Sequence, residues 1–240
     1  RGHERVVSKL CAAGVDINAK DNTGLTALMI ACERGKTVVV EHLLKAIKID
    51  INAKNEKGET ALMYASRGER RAFLRGSHEG HETIVEKLIT AGADINAKSK
   101  DGDTALMMAC QRQNEKIVSA LITAGADIEA KNEKGETALI IACQTDKLKI
   151  VSALMRAGAD VFNRGPGKFP SQYANESSNE NITNLVNLEV QRRIDRISQM
   201  QRASREASTA SNTNATTQAL TELTTAATEI DHQTRPGPSL

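Results

Sequence analysis

The side chains best suited to nucleophilic, acid–base or metal chemistry in this chain are five histidines and four cysteines: His3, His42, His78, His81 and His232, with Cys11, Cys32, Cys110 and Cys143. Their spacing assembles no such chemistry. No two cysteines stand at the close spacing a metal site requires, and no HExxH, GxSxG or P-loop string occurs. Cys32, Cys110 and Cys143 each lie four residues after the Leu of a Thr-Ala-Leu phrase. That regularity reads as a small buried helix residue, a common place for a free cysteine. His3 and His81 each follow a glycine in a Gly-His phrase, which suits a structural role. The expectation is therefore no catalytic residue, no cofactor and no metal, hence no enzyme activity in this segment.

The elements that carry these residues are set by an internal repeat. Thr26, Thr60, Thr104 and Thr137 each open a Thr-Ala-Leu, while Asp16, Asp50, Asp94, Asp127 and Asp160 close successive units at separations of 34, 44, 33 and 33 positions. A period near 33 residues is the mark of a stacked array. In the unit 99–131, Gly102 suits a turn with positive φ, and Thr104 can cap a helix whose apolar face is Ala105, Leu106, Met108, Ala109 and Cys110. Ile117, Val118, Leu121 and Ile122 mark a second helix, and Gly125 ends it. Two short helices cannot bury their apolar faces alone, so neighbouring units must stack. The repeated Asp fits a turn role better than paired acid–base work.

Composition narrows the partner class. The net charge is +2, and the aromatic residues are Tyr64, Phe73, Phe162, Phe169 and Tyr173. Neither a global basic field nor a base-stacking platform is present, so nucleic acid is not an expected partner. The apolar stretches fall far short of the roughly 20 residues that cross a bilayer, and no membrane association is expected. Reduced cysteines fit an intracellular protein, cytoplasmic or nuclear.

The repeated residues resemble the ankyrin repeat. The family pattern Gly-x-Thr-Pro-Leu-His-x-Ala, Gly-His, Gly-Ala-Asp-Val-Asn-Ala is matched by Gly58-Glu-Thr-Ala-Leu-Met-Tyr-Ala65, Gly80-His81 and Gly92-Ala-Asp-Ile-Asn-Ala97. The family Pro is replaced by Ala27, Ala61, Ala105 and Ala138, and the family His by Met29, Met63, Met107 and Ile140. The resemblance implies an all-α ankyrin solenoid of helix-turn-helix repeats with projecting β-turns. Its full repeats would be 21–54, 55–98, 99–131 and 132–164, after a partial repeat 1–20. A degenerate cap follows at 165–188, then an amphipathic helix at 189–206 and a disordered Ser/Thr-rich tail at 207–240. The first unit lacks its first helix, so further repeats are expected before Arg1.

The resemblance also implies a monomeric, non-catalytic scaffold that binds a protein of unknown identity on a concave face. In the family, partners contact the turn tips and the exposed end of the first helix. Those places hold Asn22, Thr23, Leu25, Glu33 and Arg34, then Glu56, Lys57, Glu59, His78 and Glu79. Lys100, Asp101, Asp103, Gln111 and Arg112 follow, then Glu133, Lys134, Glu136, Gln144 and Thr145. With no Trp or Tyr at the tips, strong anchors fall to Arg34 or Arg112.

Three departures stand beside this pattern. Residues 67–77 lengthen one unit and carry Arg67, Arg70, Arg71 and Arg75 against Glu69. They read either as an anion- or nucleic-acid-binding loop or as a tolerated surface loop or gene-model artefact; for the chain as a whole, a regulatory segment of a larger enzyme is the further alternative. Ile182, Val186, Val190, Ile194 and Ile197 form one helical stripe, read either as a short coiled-coil seam or basic partner helix, or as a helix whose first half packs on the last repeat while the rest is a solvated extension. Asn18, Asn52 and Asn96 match a loop asparagine that dioxygenases hydroxylate in the family. The plainer reading is an Asn that holds its own turn.

Overall fold

The computed structural model describes Lys9 and residues 15–68, 79–177 and 179–206. Outside it lie most of the partial repeat 1–20 with His3 and Cys11, the insert residues 69–77 with Arg70, Arg71 and Arg75, His78, and the tail 207–240 with His232. The chain divides into two units, residues 1–190 and 191–240.

In the first unit four helix pairs follow one another. They are α1 (Ala27–Glu33) with α2 (Thr37–Leu44), α3 (Ala61–Arg67) with α4 (Glu79–Thr90), α5 (Ala105–Gln111) with α6 (Glu115–Thr123), and α7 (Ala138–Gln144) with α8 (Leu148–Arg156). A final short helix, α9 (Pro170–Glu176), precedes helical residues 180–190. In the described part of the first unit the remaining regular structure is helical Lys9 and an isolated bridge between Lys20 and Thr26. The first helices pack in one row, α1 on α3 on α5 on α7 on α9, and the second helices in another, α2 on α4 on α6 on α8.

Each of the four first helices is only seven residues long. Isolated helices of that length do not persist in water, so packing and capping must supply what length does not. Thr26, Thr60, Thr104 and Thr137 take extended backbone at the N-cap, and each Oγ1 accepts the N–H three residues on at 3.3–3.4 Å. In α5 the run Ala105, Leu106, Met107, Met108, Ala109 and Cys110 is buried throughout. A helix apolar on all sides must be enclosed on all sides, and α5 has α3, α7 and α6 around it. The residues that replace the family His, Met29, Met63, Met107 and Ile140, are at most 1% exposed. They fill the row between first helices with apolar volume. Cys32, Cys110 and Cys143 are free and buried. Burial pushes the thiols of Cys32 and Cys110 far up, and burial with the Asp146 charge pushes Cys143 up to about 12, which favours the thiol over the thiolate at all three.

The outer row is cross-linked by exposed ion pairs: Glu41–Lys87 at 3.0 Å, Glu82–Lys116 at 2.9 Å and Glu115–Lys149 at 3.3 Å. At the far end Ile182 and Val186 are fully buried and Val190 packs against the same core. The first half of the apolar stripe therefore closes the stack. In the second unit residues 191–206 are helical, and Ile194 and Ile197 are 43% and 48% exposed.

The candidate partner-binding face

Each unit projects a turn whose first residue folds it. Asp21 Oδ1 accepts the N–H groups of Thr23 and Leu25 at 2.8 and 2.9 Å, and the hydroxyl and amides of this turn hold its carboxyl below the usual range. Asn55 Oδ1 accepts from Lys57 and Glu59, and Asn132 Oδ1 accepts from Lys134 and Glu136. The turn glycines Gly24, Gly58 and Gly102 then lie against the next unit. Gly102 has φ +76°, and a Cβ there would meet Asn132 Cα at 2.8 Å, so glycine is required twice over. Successive tips are hydrogen-bonded: Lys100 N–H donates to Lys57 O at 2.8 Å and Glu133 N–H to Asp101 O at 2.9 Å.

Two further ladders hold the opposite edge of the turns. Asn18, Asn52 and Asn96 each accept, through Oδ1, the N–H of the Asp in the next unit at 2.8 Å. Glu129 does the same for Asp160 at 2.7 Å. The expectation that these asparagines hold their own turn is corrected. Asp16, Asp50, Asp94, Asp127 and Asp160 do that, each accepting the N–H two residues on at 3.0 Å, which frees the asparagine to bridge repeats. Lys20, Lys54, Lys98 and Lys131 each donate Nζ to the carbonyl of the corresponding residue one unit on, at 2.8–3.2 Å.

Most sequence-predicted contact residues lie where a partner could reach them. Asn22, Thr23, Arg34, Glu56, Lys57, Lys100, Asp101, Gln111, Glu133, Lys134 and Gln144 are exposed, and Leu25, Glu33, Asp103, Arg112, Glu136 and Thr145 are half-buried. His78 is outside the described residues, and of Glu79 only the backbone is described.

Glu59 is the exception, and with it Arg67. Glu59 is 6% exposed, so it is not an open contact residue. Its Oε1 accepts from Arg67 Nη1 at 2.6 Å, while Oε2 accepts from Tyr64 Oη at 2.8 Å and Asn55 Nδ2 at 3.0 Å. The guanidinium lies 4.6 Å from the centre of the Tyr64 ring. Burial pushes the Glu59 carboxyl up, but the bonds from Tyr64 and Asn55 and the Arg67 charge outweigh it, and the net shift is downward. Arg67 therefore belongs to the end of α3 and is committed to Glu59, which removes it from the arginine set of an anion-binding loop. The signal in the sequence was Glu59 eight residues before Arg67, with Tyr64 between them.

His81 is 4% exposed, and its Nε2 meets Glu33 O of the preceding unit at 2.9 Å, which fits the structural role. Among the described residues no group of three or more His, Cys, Asp or Glu could hold a metal, and no helix is long and apolar enough to cross a membrane.

A family model described as ankyrin repeats (3 copies) matches residues 1–76 and again residues 72–164, two spans that meet inside the insert. No curated protein matches the chain.

Proposed function

This chain belongs to the ankyrin-repeat family, and from that premise we propose that it is a non-catalytic adaptor whose client protein binds across the turn tips and the adjoining ends of the first helices. Ankyrin repeats are generally protein–protein interaction modules. The observation that carries the reading here is the hydrogen-bonded register of the tips, Lys57 to Lys100 and Asp101 to Glu133. Side chains presented from a fixed backbone lose little freedom when a partner arrives, and that lowers the cost of binding. Glu56, Lys57, Lys100, Asp101, Glu133 and Lys134 give the tips alternating charge, which suits a charged protein surface and sets register through complementarity. The binding unit comprises the repeats 21–54, 55–98, 99–131 and 132–164, closed by a cap at 165–188.

The test is affinity capture with the intact chain beside a variant carrying Glu56→Ala, Lys57→Ala, Asp101→Ala and Glu133→Ala, once both give the same helical circular dichroism. Loss of the captured proteins with the variant supports the tip face. Retention of all of them places the client elsewhere and overturns the reading.

A further inference from the structure

The octapeptide Asn-Glu-Lys-Gly-Glu-Thr-Ala-Leu occurs twice, at 55–62 and at 132–139, so the chain builds one polar frame in two copies. In both copies the Asn Oδ1 folds the turn and its Nδ2 donates to the second Glu, Asn55 to Glu59 Oε2 at 3.0 Å and Asn132 to Glu136 Oε2 at 3.1 Å. The copies diverge only after the shared eight residues. In the first, Arg67 lies eight positions beyond Asn55-framed Glu59 and donates to its Oε1 at 2.6 Å. In the second the same position is Gln144, whose neutral amide reaches Glu136 Oε1 at 3.2 Å.

The neighbouring unit sharpens the contrast. The residue just before the N-cap threonine of the preceding repeat is Leu25 beside the first copy but Asp103 beside the second. Asp103 Oδ1 accepts from the same Asn132 Nδ2, at 3.0 Å. One amide nitrogen thus holds two carboxylates together, and among the described residues neither Asp103 nor Glu136 makes an ion pair. Where the frame holds one carboxylate it carries an arginine; where it holds two it carries none. Both carboxylates are half-buried, and the place that Arg67 fills in one copy is held in the other by the exposed, uncharged Gln144.

We propose that Asp103 and Glu136 form the seat for an arginine side chain of the client protein, which takes on the second copy the role that Arg67 plays on the first. The inference rests on the interaction reading above. Arginine fits because its planar fork spans two acceptor oxygens at once, and in the first copy Glu59 accepts one guanidinium nitrogen of an arginine lying over Tyr64, where the second copy has Ile141.

The experiment titrates the isotopically labelled full chain with acetyl-Gly-Arg-Gly-amide and follows the backbone amides of Asn132, Lys134 and Glu136. The citrulline peptide of the same shape without charge, the lysine peptide and calcium chloride run beside it. The arginine peptide is expected to shift these amides, and the citrulline peptide is not. Asp103→Asn and Glu136→Gln should each weaken binding at least about tenfold, in keeping with loss of a charge-assisted bond. Gln144→Arg should abolish it while raising the thermal midpoint, because the chain then caps its own carboxylates. Equal shifts with citrulline, equal or tighter binding of lysine or calcium, or unchanged binding in Gln144→Arg overturns the proposal. A captured client lost with the tip variant yet kept by Gln144→Arg removes the arginine seat and leaves the interaction reading standing.

Discussion

Single residues decide how each repeat departs from its neighbours, and Ser66 is the clearest case. It occupies in α3 the place of Cys32, Cys110 and Cys143, it is 2% exposed, and its hydroxyl has no hydrogen-bond partner among the described residues. A buried hydroxyl without a partner costs about 1–3 kcal/mol, whereas a thiol gives up less hydration. Ser66→Cys and Ser66→Ala should therefore each stabilise the protein by about 1–2 kcal/mol, read as a higher urea midpoint at unchanged slope. One residue along, the opposite holds. Arg67→Gln leaves the Glu59 carboxylate buried without its cation and should cost about 2–3 kcal/mol. The pH dependence has a definite sign. The folded Glu59 carboxyl lies below its ordinary value of 4.5, so on acidification the unfolded chain takes up the proton first. The contribution is complete above the unfolded value and is lost as pH falls through the folded one. Urea titrations at pH 7 and in the range of about pH 3–5 should show a steeper acid loss in the parent protein than in Glu59→Gln.

At the level of elements, the joint between the two helices of a repeat is the place where local conformation and sequence disagree. Gly35 takes φ +62° after α1, and the corresponding positions after α5 and α7 are Gln113 at +59° and Asp146 at +57°. Left-handed backbone costs a residue with a Cβ about 1–2 kcal/mol, partly offset by the flexibility a glycine brings to the unfolded chain. Gln113→Gly should raise stability by about 0.5–1 kcal/mol in thermal or urea unfolding. Gly35→Ala should lower it by more, because the new Cβ would also meet His81 Cε1 at 3.0 Å. The helices themselves were legible in the sequence, since the Thr-Ala-Leu phrase carries its own cap and apolar face within seven residues. The asparagine ladder and the burial of Glu59 were not. Asn52 bonds Asp94 of the following repeat, and Glu59 is covered by side chains brought round by α3. Both depend on how elements are set against one another, which a period along the chain does not state. The contact residues at the tips were named from the family resemblance, and their role stands as a proposal.

Across the whole molecule the consequence of stacking is that stability runs along the array from neighbour to neighbour. The last first-helix, α9, has a short apolar face, with Pro170 and Ala174 as its buried residues, so it cannot close the stack unaided. Ile182 and Val186 supply that closure, both fully buried, while Ile194 and Ile197 on the same sequence stripe are not. Ile182→Ala opens a cavity against the final repeat and should cost about 2–4 kcal/mol. Ile194→Ala removes an exposed side chain and should change stability by no more than about 0.5 kcal/mol. The loss in Ile182→Ala should also be directional. Because α9 packs on α7, α7 on α5 and α5 on α3, hydrogen exchange should accelerate first in α9, then in α7, and least in α1. Uniform acceleration in every helix would mean that the repeats unfold as one cooperative block, and that residues 180–190 stabilise the array as a whole instead of only its end.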